Sequence, residues 1–207
     1  MIEKGQYFEK QEDFANSNLS SHVNLVIKQG LLQEDFIYCM EFCNNLQTLV
    51  LDISKGFPHP KKLNRLIDIL GCLKDFWSLH LKLNILHFDV NDITGLCTSL
   101  QKYSNISMLE LSLFSYRTDD KMFIHLGYSL SQCKNLRFLT LLFNNILIED
   151  IISQQGAISF AQSLSKNNNL LQCRISLDYI EIFNDKLRLL KFVMNIKKMK
   201  RLVIFQM

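Results

Sequence analysis

The sequence predicts an α/β protein built from one repeated strand–helix unit, with its strands side by side in a parallel sheet. Three observations support this prediction. The chain has 207 residues, 48% of them apolar, which is enough for a hydrophobic core. Short apolar triplets recur about every 30 residues, and apolar positions with helical spacing recur between them at the same step. Alternating strands and helices favour a parallel sheet.

The strand prediction depends on apolar residues at offsets 0, 3 and 5, as in KNLRFLTLLFNN at 134–145. Residues at offsets 3 and 5 share one face of a strand, so we expect them to point into the core. The same offsets recur at steps of 30, 30, 30, 34 and 29 residues, and a degenerate earlier copy is Val23-Leu25-Ile27. The triplets are Leu46-Leu49-Leu51, Phe76-Leu79-Leu81, Ile106-Leu109-Leu111, Leu136-Leu139-Leu141, Leu170-Cys173-Ile175 and Met199-Leu202-Ile204.

The helix prediction depends on apolar residues at i, i+3, i+4 and i+7 between the strands. The sets are Leu63-Leu66-Ile67-Leu70, Ile93-Leu96-Cys97-Leu100, Phe123-Leu126-Gly127-Leu130, Ala157-Phe160-Ala161-Leu164 and, with three of four apolar, Lys186-Leu189-Leu190-Val193. Gly127 and Ala161 make the third position small, and we expect this to let the helix approach the sheet closely.

Residues 136–146, LRFLTLLFNNI, resemble the leucine-rich repeat L-x-x-L-x-L-x-x-N-x-L in the long, helix-bearing form of ribonuclease inhibitor. The stretch LGYSLSQCKNLRFLTL also resembles large repeat families of ciliated protozoa. The resemblance covers about 21–207. It implies a leucine-rich repeat solenoid, a horseshoe with parallel strands on the concave face and helices on the convex face. We expect six to seven units over 21–207, and an N-terminal cap or flexible tail over 1–20.

The resemblance also implies that the asparagine after each strand bonds exposed backbone at the turn. The equivalent positions are Ser54, Asn84, Phe114, Asn144 and Asp178. Because the Phe114 ring cannot replace an amide, we expect the repeat around it to rely on packing or water.

Strand residues between the leucines are predicted to form the partner-binding concave face. In rows across the sheet they are Thr48-Ser78-Met108-Phe138-Gln172-Arg201, Val50-His80-Glu110-Thr140-Arg174-Val203 and Asp52-Lys82-Ser112-Leu142-Ser176-Phe205. We predict partner contact through Met108, Phe138 and Leu142 as apolar anchors, and through His80, Glu110 and Arg174 as polar contacts.

Two cross-strand charge pairs are predicted on this face, His80 with Glu110 and Asp52 with Lys82. A histidine beside a carboxylate can act as a general base. However, no nucleophile or oxyanion donor is recognisable beside it, so an exposed charge pair is favoured. The sequence also lacks a glycine-rich phosphate loop, an HExxH pair and a GxSxG elbow. We therefore expect no catalytic residue, no cofactor and no small-molecule substrate.

The net charge of +3 does not by itself indicate a nucleic-acid partner. Basic residues concentrate over 186–201, and the last of them, Lys197, Lys198, Lys200 and Arg201, here called the basic strip, enter the last predicted strand. The basic strip fits a solvated helix end, or contact with RNA inside a ribonucleoprotein or other large assembly. The chain stops within the apolar stretch RLVIFQM, so an uncapped C-terminal edge is expected to contact a partner.

Six cysteines without a signal peptide indicate free thiols and an intracellular, cytoplasmic or nuclear location. Cys39 and Cys43 are spaced as two metal ligands could be, but no matching pair follows, so small buried hydrophobes are favoured and no metal is expected. No stretch is apolar enough to span a membrane. The favoured function is a non-enzymatic protein–protein interaction scaffold. The alternative is a structural subunit of a large assembly. A third hypothesis, an enzyme or a regulator of one, rests on fold analogy alone.

Overall fold

The computed structural model describes residues 5–28, 32–56, 59–85, 88, 90–102, 105–114, 120–144, 153–177, 193–194, 196 and 204–206. Within these ranges the strands are β1 (Gln6–Phe8), β2 (Asn24–Lys28), β3 (Thr48–Ile53), β4 (Ser78–Asn84), β5 (Met108–Phe114), β6 (Phe138–Asn144), β7 (Gln172–Leu177) and β8 (Ile204–Gln206). The helices are α1 (Gln11–Ala15), α2 (Glu34–Met40), α3 (Pro60–Cys72), α4 (Val90–Gln101), α5 (Asp120–Gln132) and α6 (Gln154–Leu164), with a short 3-10 turn at Leu19–Ser21.

The described strands form one parallel sheet in chain order, from β1 to β8. Each is joined to the next by a crossover, as parallel pairing requires. The predicted register is confirmed in the centre of the sheet, where Leu49, Leu79, Leu109 and Leu139 lie opposite one another on β3 to β6. Equivalent residues of successive repeats therefore stack into continuous rows.

One hydrophobic core lies between the sheet and the helices. The strand leucines at offsets 3 and 5 belong to it, for example Leu79 and Leu81, both fully buried. The predicted inner positions of α3, α4, α5 and α6 are buried as well. Because all these side chains lie on one side of the strands, the intervening strand residues form the opposite surface, here called the open face.

The small residue Gly127 was predicted to let its helix approach the sheet closely. In the structure its close neighbour is a residue of the next helix instead. A Cβ built on Gly127 would lie 2.8 Å from the carbonyl oxygen of Phe160 and 3.0 Å from its Cα. Phe160 belongs to α6, so the missing side chain lets α5 approach the next helix. The aromatic rings of Phe123 and Phe160 stack at this contact, with centroids 4.3 Å apart.

The N-terminal segment adds a strand that the sequence pattern did not predict. β1 pairs in parallel with β2, with Tyr7 opposite Val26. Phe14, on α1, is fully buried and its ring lies 5.4 Å from that of Phe36. The segment that follows Gly5 is therefore part of the sheet and the core.

The predicted register of the last strand is wrong. The pattern aligned Leu202 with Cys173, whereas the backbone of β8 pairs Ile204 with Gln172 and Phe205 with Cys173. The shift is three residues. A strand register is specified by alternation of apolar and polar residues, and the apolar run at 202–205 offers none. The predicted helix over 186–193 lies outside the described residues, apart from the partly buried Val193.

Two of the turns after the strands carry a residue other than asparagine, and the structure shows how each is satisfied. Ser54 donates its hydroxyl to Asp52 Oδ1 at 2.6 Å and its backbone N–H to the same oxygen at 3.2 Å. The backbone at Phe114 is satisfied directly, since its carbonyl accepts a 2.8 Å hydrogen bond from the N–H of Ile85. The structure does not describe the side chain of Asn144, and Asp178 lies outside the described residues.

A different asparagine column links the repeats, one residue before each strand triplet. Asn45 Nδ2 donates to the carbonyl of Ser20 at 2.8 Å, and Asn105 Nδ2 donates to that of Lys74 at 2.7 Å. Asn169 Nδ2 donates to the carbonyl of Lys134. In each case the acceptor belongs to the preceding repeat, so these side chains tie consecutive units together.

Candidate partner-binding face

The open face is positioned by backbone pairing between the central strands. His80 lies opposite Glu110, and Met108 lies opposite Phe138. Successive side chains of a strand point to opposite faces, so the buried leucines fix these residues on the other surface. The structure thus brings five of the predicted contact residues, those on β4, β5 and β6, onto one continuous surface.

His80 and Glu110 form the predicted charge pair. His80 Nδ1 lies 3.3 Å from Glu110 Oε2, and the side chains are 18% and 30% exposed. The hydrogen bond from His80 lowers the pKa of the Glu110 carboxyl; burial opposes this, while Lys82 and Arg174 add to the lowering. The carboxylate is therefore held charged among cations on the open face.

Asp52 and Lys82 form the second predicted pair, with 3.6 Å between Oδ2 and Nζ. Burial alone would raise the pKa of Asp52, but hydrogen bonds from Ser54 and the nearby Lys82 ammonium outweigh it, so the pKa is lowered. The Lys82 side chain is 45% exposed. A solvent-exposed pair of this kind contributes about 0–1 kcal/mol to stability.

The pair around His80 does not assemble a nucleophile and base. Ser78 lies on the same face of β4, yet neither Ser78 Oγ nor His80 Nε2 has a hydrogen-bond partner, so the two atoms are not bonded to each other. Both atoms are also shielded from solvent.

An apolar patch lies beside the charges. Phe138 is 37% exposed, which is unusual for a strand phenylalanine in this sheet, and Met108 and Leu142 are half-buried. A depression of about 200 Å³ opens here and is lined by His80, Met108, Leu109, Glu110, Phe138, Leu139, Thr140 and Gln172. It is large enough for one partner side chain and too small for a drug-sized ligand.

Arg174 lies at the margin of this depression, on β7 opposite Thr140. It is exposed, and it is close enough to contribute to the lowered pKa of Glu110. A guanidinium beside an apolar anchor is a frequent component of protein interfaces.

The accessible part of the open face is narrower than predicted. Thr48, Ser78 and Ser112 were expected on the contact surface, but they are only 4%, 0% and 2% exposed. Neighbouring strands lie about 4.8 Å apart, so long side chains on either side cover a short one. Thr48 is also bound, because its hydroxyl donates to Asn24 Oδ1 at 2.7 Å.

The cysteines do not form a site. Burial raises the pKa of Cys43, Cys97, Cys133 and Cys173 to about 12, which keeps these thiols protonated. The described part of the chain contains no group of three His, Cys, Asp or Glu residues placed to hold a metal ion. Likewise, no described helix is long and apolar enough to cross a membrane.

The basic strip of Lys197, Lys198, Lys200 and Arg201 lies outside the described residues. RNA contact through it therefore stays a prediction. The contact role of the open-face residues also stays a prediction, although their positions are now known.

Comparisons with known proteins give structural neighbours of low sequence identity. No family model matches the sequence, and no curated protein is significantly similar to it. Among solved structures, 68% of the chain superposes on 73% of the actin-binding site 2 of leiomodin-1, with 14% identity and a TM-score of 0.48. The tropomodulin C-terminal domain of Caenorhabditis elegans is matched over 68% of the chain and 76% of that domain, with 13% identity and a TM-score of 0.46.

A third similarity extends over more of the chain but is weaker. It involves a putative fructose-1,6-bisphosphate aldolase from Coccidioides immitis, over 97% of this chain and 70% of that one, with 10% identity and a TM-score of 0.33.

Proposed function

We propose that the protein is a non-enzymatic interaction scaffold that binds a protein partner through its open face. The observation that carries this proposal is the partly exposed pair of Met108 and Phe138, which lie opposite each other beside the His80–Glu110 pair, with the partly exposed Leu142 further along β6. Apolar side chains on the surface of a sheet favour a partner that covers them. The adjacent charges give that contact its orientation.

The proposal that the function is non-enzymatic has a geometric basis. The histidine on the open face has no bonded nucleophile, and its second ring nitrogen is shielded from solvent. The neighbouring depression of about 200 Å³ is shallow and combines apolar with charged walls. These features suit the insertion of one anchor residue better than the enclosure of a reacting substrate.

We further propose that the stacked repeats curve as a leucine-rich-repeat horseshoe, which would make the open face concave. The regular pairing of β3 to β6 supports this, since equivalent residues keep the same register across four strands. The C-terminal edge of the sheet is the second contact surface in this proposal. An intracellular location is part of it too, supported by six cysteines that are all free thiols.

The test is affinity purification from the native cell with the intact chain and a Phe138→Glu/Leu142→Glu variant. Two carboxylates in the apolar patch would be desolvated by any partner that covers it, so we expect the specific co-purifying protein to be lost. The matched control is Tyr128→Glu, because Tyr128 is an exposed aromatic residue (54%) on helix α5 rather than on the sheet.

Circular dichroism of each variant checks that the fold is retained. Recovery of the partner with Tyr128→Glu, together with its loss from the double variant, supports the open face as the contact surface. If the folded double variant binds the same set of proteins as the unchanged chain, the open face is not the contact surface and the proposal fails.

A further inference from the structure

A polar cavity lies at the edge of the sheet where helices end and strands begin, between the repeats of β6 and β7. Its volume is about 260 Å³, and it is lined by Lys134, Asn135, Arg137, Asn169 and Leu171. These residues are distinct from those that line the depression on the open face. The lining contains two cations and two carboxamides and no carboxylate.

The fold itself does not require the two cations. In the two preceding repeats, the positions equivalent to Lys134 and Arg137 hold Lys74 with Trp77 and Ser104 with Ser107. In the following repeat they hold Asn168 with Leu171. The intervening position has a structural role, since Asn105 and Asn169 use it to bond the preceding repeat. Of these four successive units, only the one before β6 combines Lys and Arg at the flanking positions.

Within the part of the chain that the structure describes, no acidic side chain neutralises the charge of this cavity. Lys134 and Arg137 are both exposed, and no carboxylate among the described residues lies within ion-pair distance of either. Two like charges that share a small cavity repel each other, and an anion between them would relieve that repulsion. The Arg137 guanidinium retains its five N–H donors in a planar fork that matches an oxyanion.

The walls of the cavity are fixed by hydrogen bonds between the two repeats. The carbonyl of Arg137 accepts from the N–H of Leu171 at 2.8 Å and from that of Gln172 at 3.0 Å. The Asn169 amide donates to the carbonyl of Lys134. The backbone on both sides is thus held in place before any ligand arrives, which lowers the entropic cost of binding.

We propose that this cavity is a binding site for a phosphate group, either inorganic phosphate or a phosphate monoester. The guanidinium of Arg137 would bind two phosphate oxygens side by side, and the Lys134 ammonium would act as a point charge. The site lies apart from the open face and does not depend on the function proposed for that face.

Nuclear magnetic resonance titration tests the site with inorganic phosphate and, separately, with O-phosphoserine against serine. Chloride holds the ionic strength constant. We expect saturable shifts of the backbone amides of Asn169 and Leu171, with a dissociation constant in the millimolar range. The variant Lys134→Gln/Arg137→Gln should weaken binding by about tenfold or more, since it removes both charges.

The matched control is Lys74→Gln, the equivalent lysine in a repeat that has Asp75 and Trp77 beside it. It should leave the titration unchanged. Saturable binding of either probe supports the site. Comparing the dissociation constants of inorganic phosphate and O-phosphoserine then shows whether free phosphate or a phosphate monoester binds more tightly. Shifts that are linear, that chloride reproduces, or that persist in the folded double variant would overturn the proposal. If that variant fails to fold, Arg137→Lys serves instead, with weakened but measurable binding expected.

Discussion

The side-chain nitrogen of Asn105 donates a 2.7 Å hydrogen bond to the backbone carbonyl of Lys74, which joins two consecutive repeats. Asn45 makes the equivalent bond to Ser20. Between them in the sequence, the same position is occupied by Asp75, and an ionised carboxylate has no hydrogen to donate. The column of links is therefore interrupted at this repeat.

Replacing Asp75 with Asn should add a link at this position and stabilise the protein. The new amide would reach the carbonyl of Asn44, the counterpart of Lys74. Because Asp75 is exposed, we expect a gain in the free energy of unfolding of only about 0.5–1 kcal/mol. Urea denaturation measures it. Asp75→Ala is the control and should give no comparable gain, whereas Asn105→Asp should lose a similar amount. Equal effects of Asn and Ala at position 75 would contradict the assignment.

Gly127→Ala should be strongly destabilising, because the added methyl group would meet the backbone of α6 at Phe160, 2.8 Å from its carbonyl oxygen. A helix backbone cannot move aside as a side chain can, so we expect a loss of about 1–3 kcal/mol. Gly95→Ala is the matched control in α4. There the nearest atom, at 2.5 Å, is Nδ2 of Asn64, the end of a side chain that can rotate.

Alanine also has a higher helix propensity than glycine, so Gly95→Ala should be close to neutral. Thermal unfolding compares the two variants. Similar melting temperatures for them would show that α5 and α6 can separate without cost.

Asn167→Ala should remove a buried link between α5 and the approach to β7. Asn167 is 2% exposed, and its Nδ2 donates to the carbonyls of Leu130 at 3.0 Å and Cys133 at 3.1 Å. Its Oδ1 accepts from the N–H of Asn169 at 3.0 Å. Both carbonyls keep a backbone donor, the N–H of Cys133 at 3.3 Å and that of Leu136 at 3.1 Å, so the variant loses three hydrogen bonds of a buried side chain rather than all partners of the carbonyls. We expect a loss of about 1–3 kcal/mol.

Denaturant unfolding measures that loss. Asn169→Ala is the comparison, and it should cost less because Asn169 is only partly buried. A smaller effect at position 167 than at 169 would contradict the assigned role.

Stability should fall with acidification because of His22. This residue is 1% exposed, packs 5.4 Å from the Phe14 ring and lies 2.7 Å from Ser17 Oγ through Nε2. Burial lowers its pKa below the ordinary value of 6.5. The unfolded chain then binds the proton more readily than the folded one, so stability is lost as the pH falls through about 6.5.

Urea midpoints between about pH 8 and pH 5 measure this loss, above the range in which Asp and Glu titrate. His22→Gln should flatten the profile, even if it lowers stability overall. The control variant is His125→Gln, which replaces an exposed histidine on α5 and leaves the surroundings of His22 intact. An identical slope in His22→Gln would assign the pH dependence to other groups.

The sequence predicted the central architecture because its signal is repeated. Leu79 and Leu109 stand 30 residues apart, and the structure pairs them on adjacent strands. The same spacing placed His80 beside Glu110, so the main charge pair of the open face could be read from the pattern. Side-chain periodicity fixes a register wherever one face must be buried.

Other features depend on properties that a periodic apolar pattern does not contain. β1 has three residues and only one, Phe8, that packs against the core. The burial of Ser78 and Ser112 depends on the length of neighbouring side chains. Asparagines stand at 45, 105, 135 and 169 in the sequence, but the leucine-rich repeat pattern places its asparagine after the strand and so does not predict a role for this position.

Segments 46–75 and 76–105 are each thirty residues long. The strands β3, β4 and β5 pair with a constant offset of thirty residues, so each segment contributes its strand to the sheet in the same register. A gene lacking residues 76–105 would encode a shorter molecule in which Leu49 meets Leu109 and the junction falls where a natural junction already exists. Such a deletion would also remove His80 while retaining Glu110. Lengthening or shortening the chain by whole units is thus a route by which the residues of the open face could be recombined while the buried leucine rows stay the same.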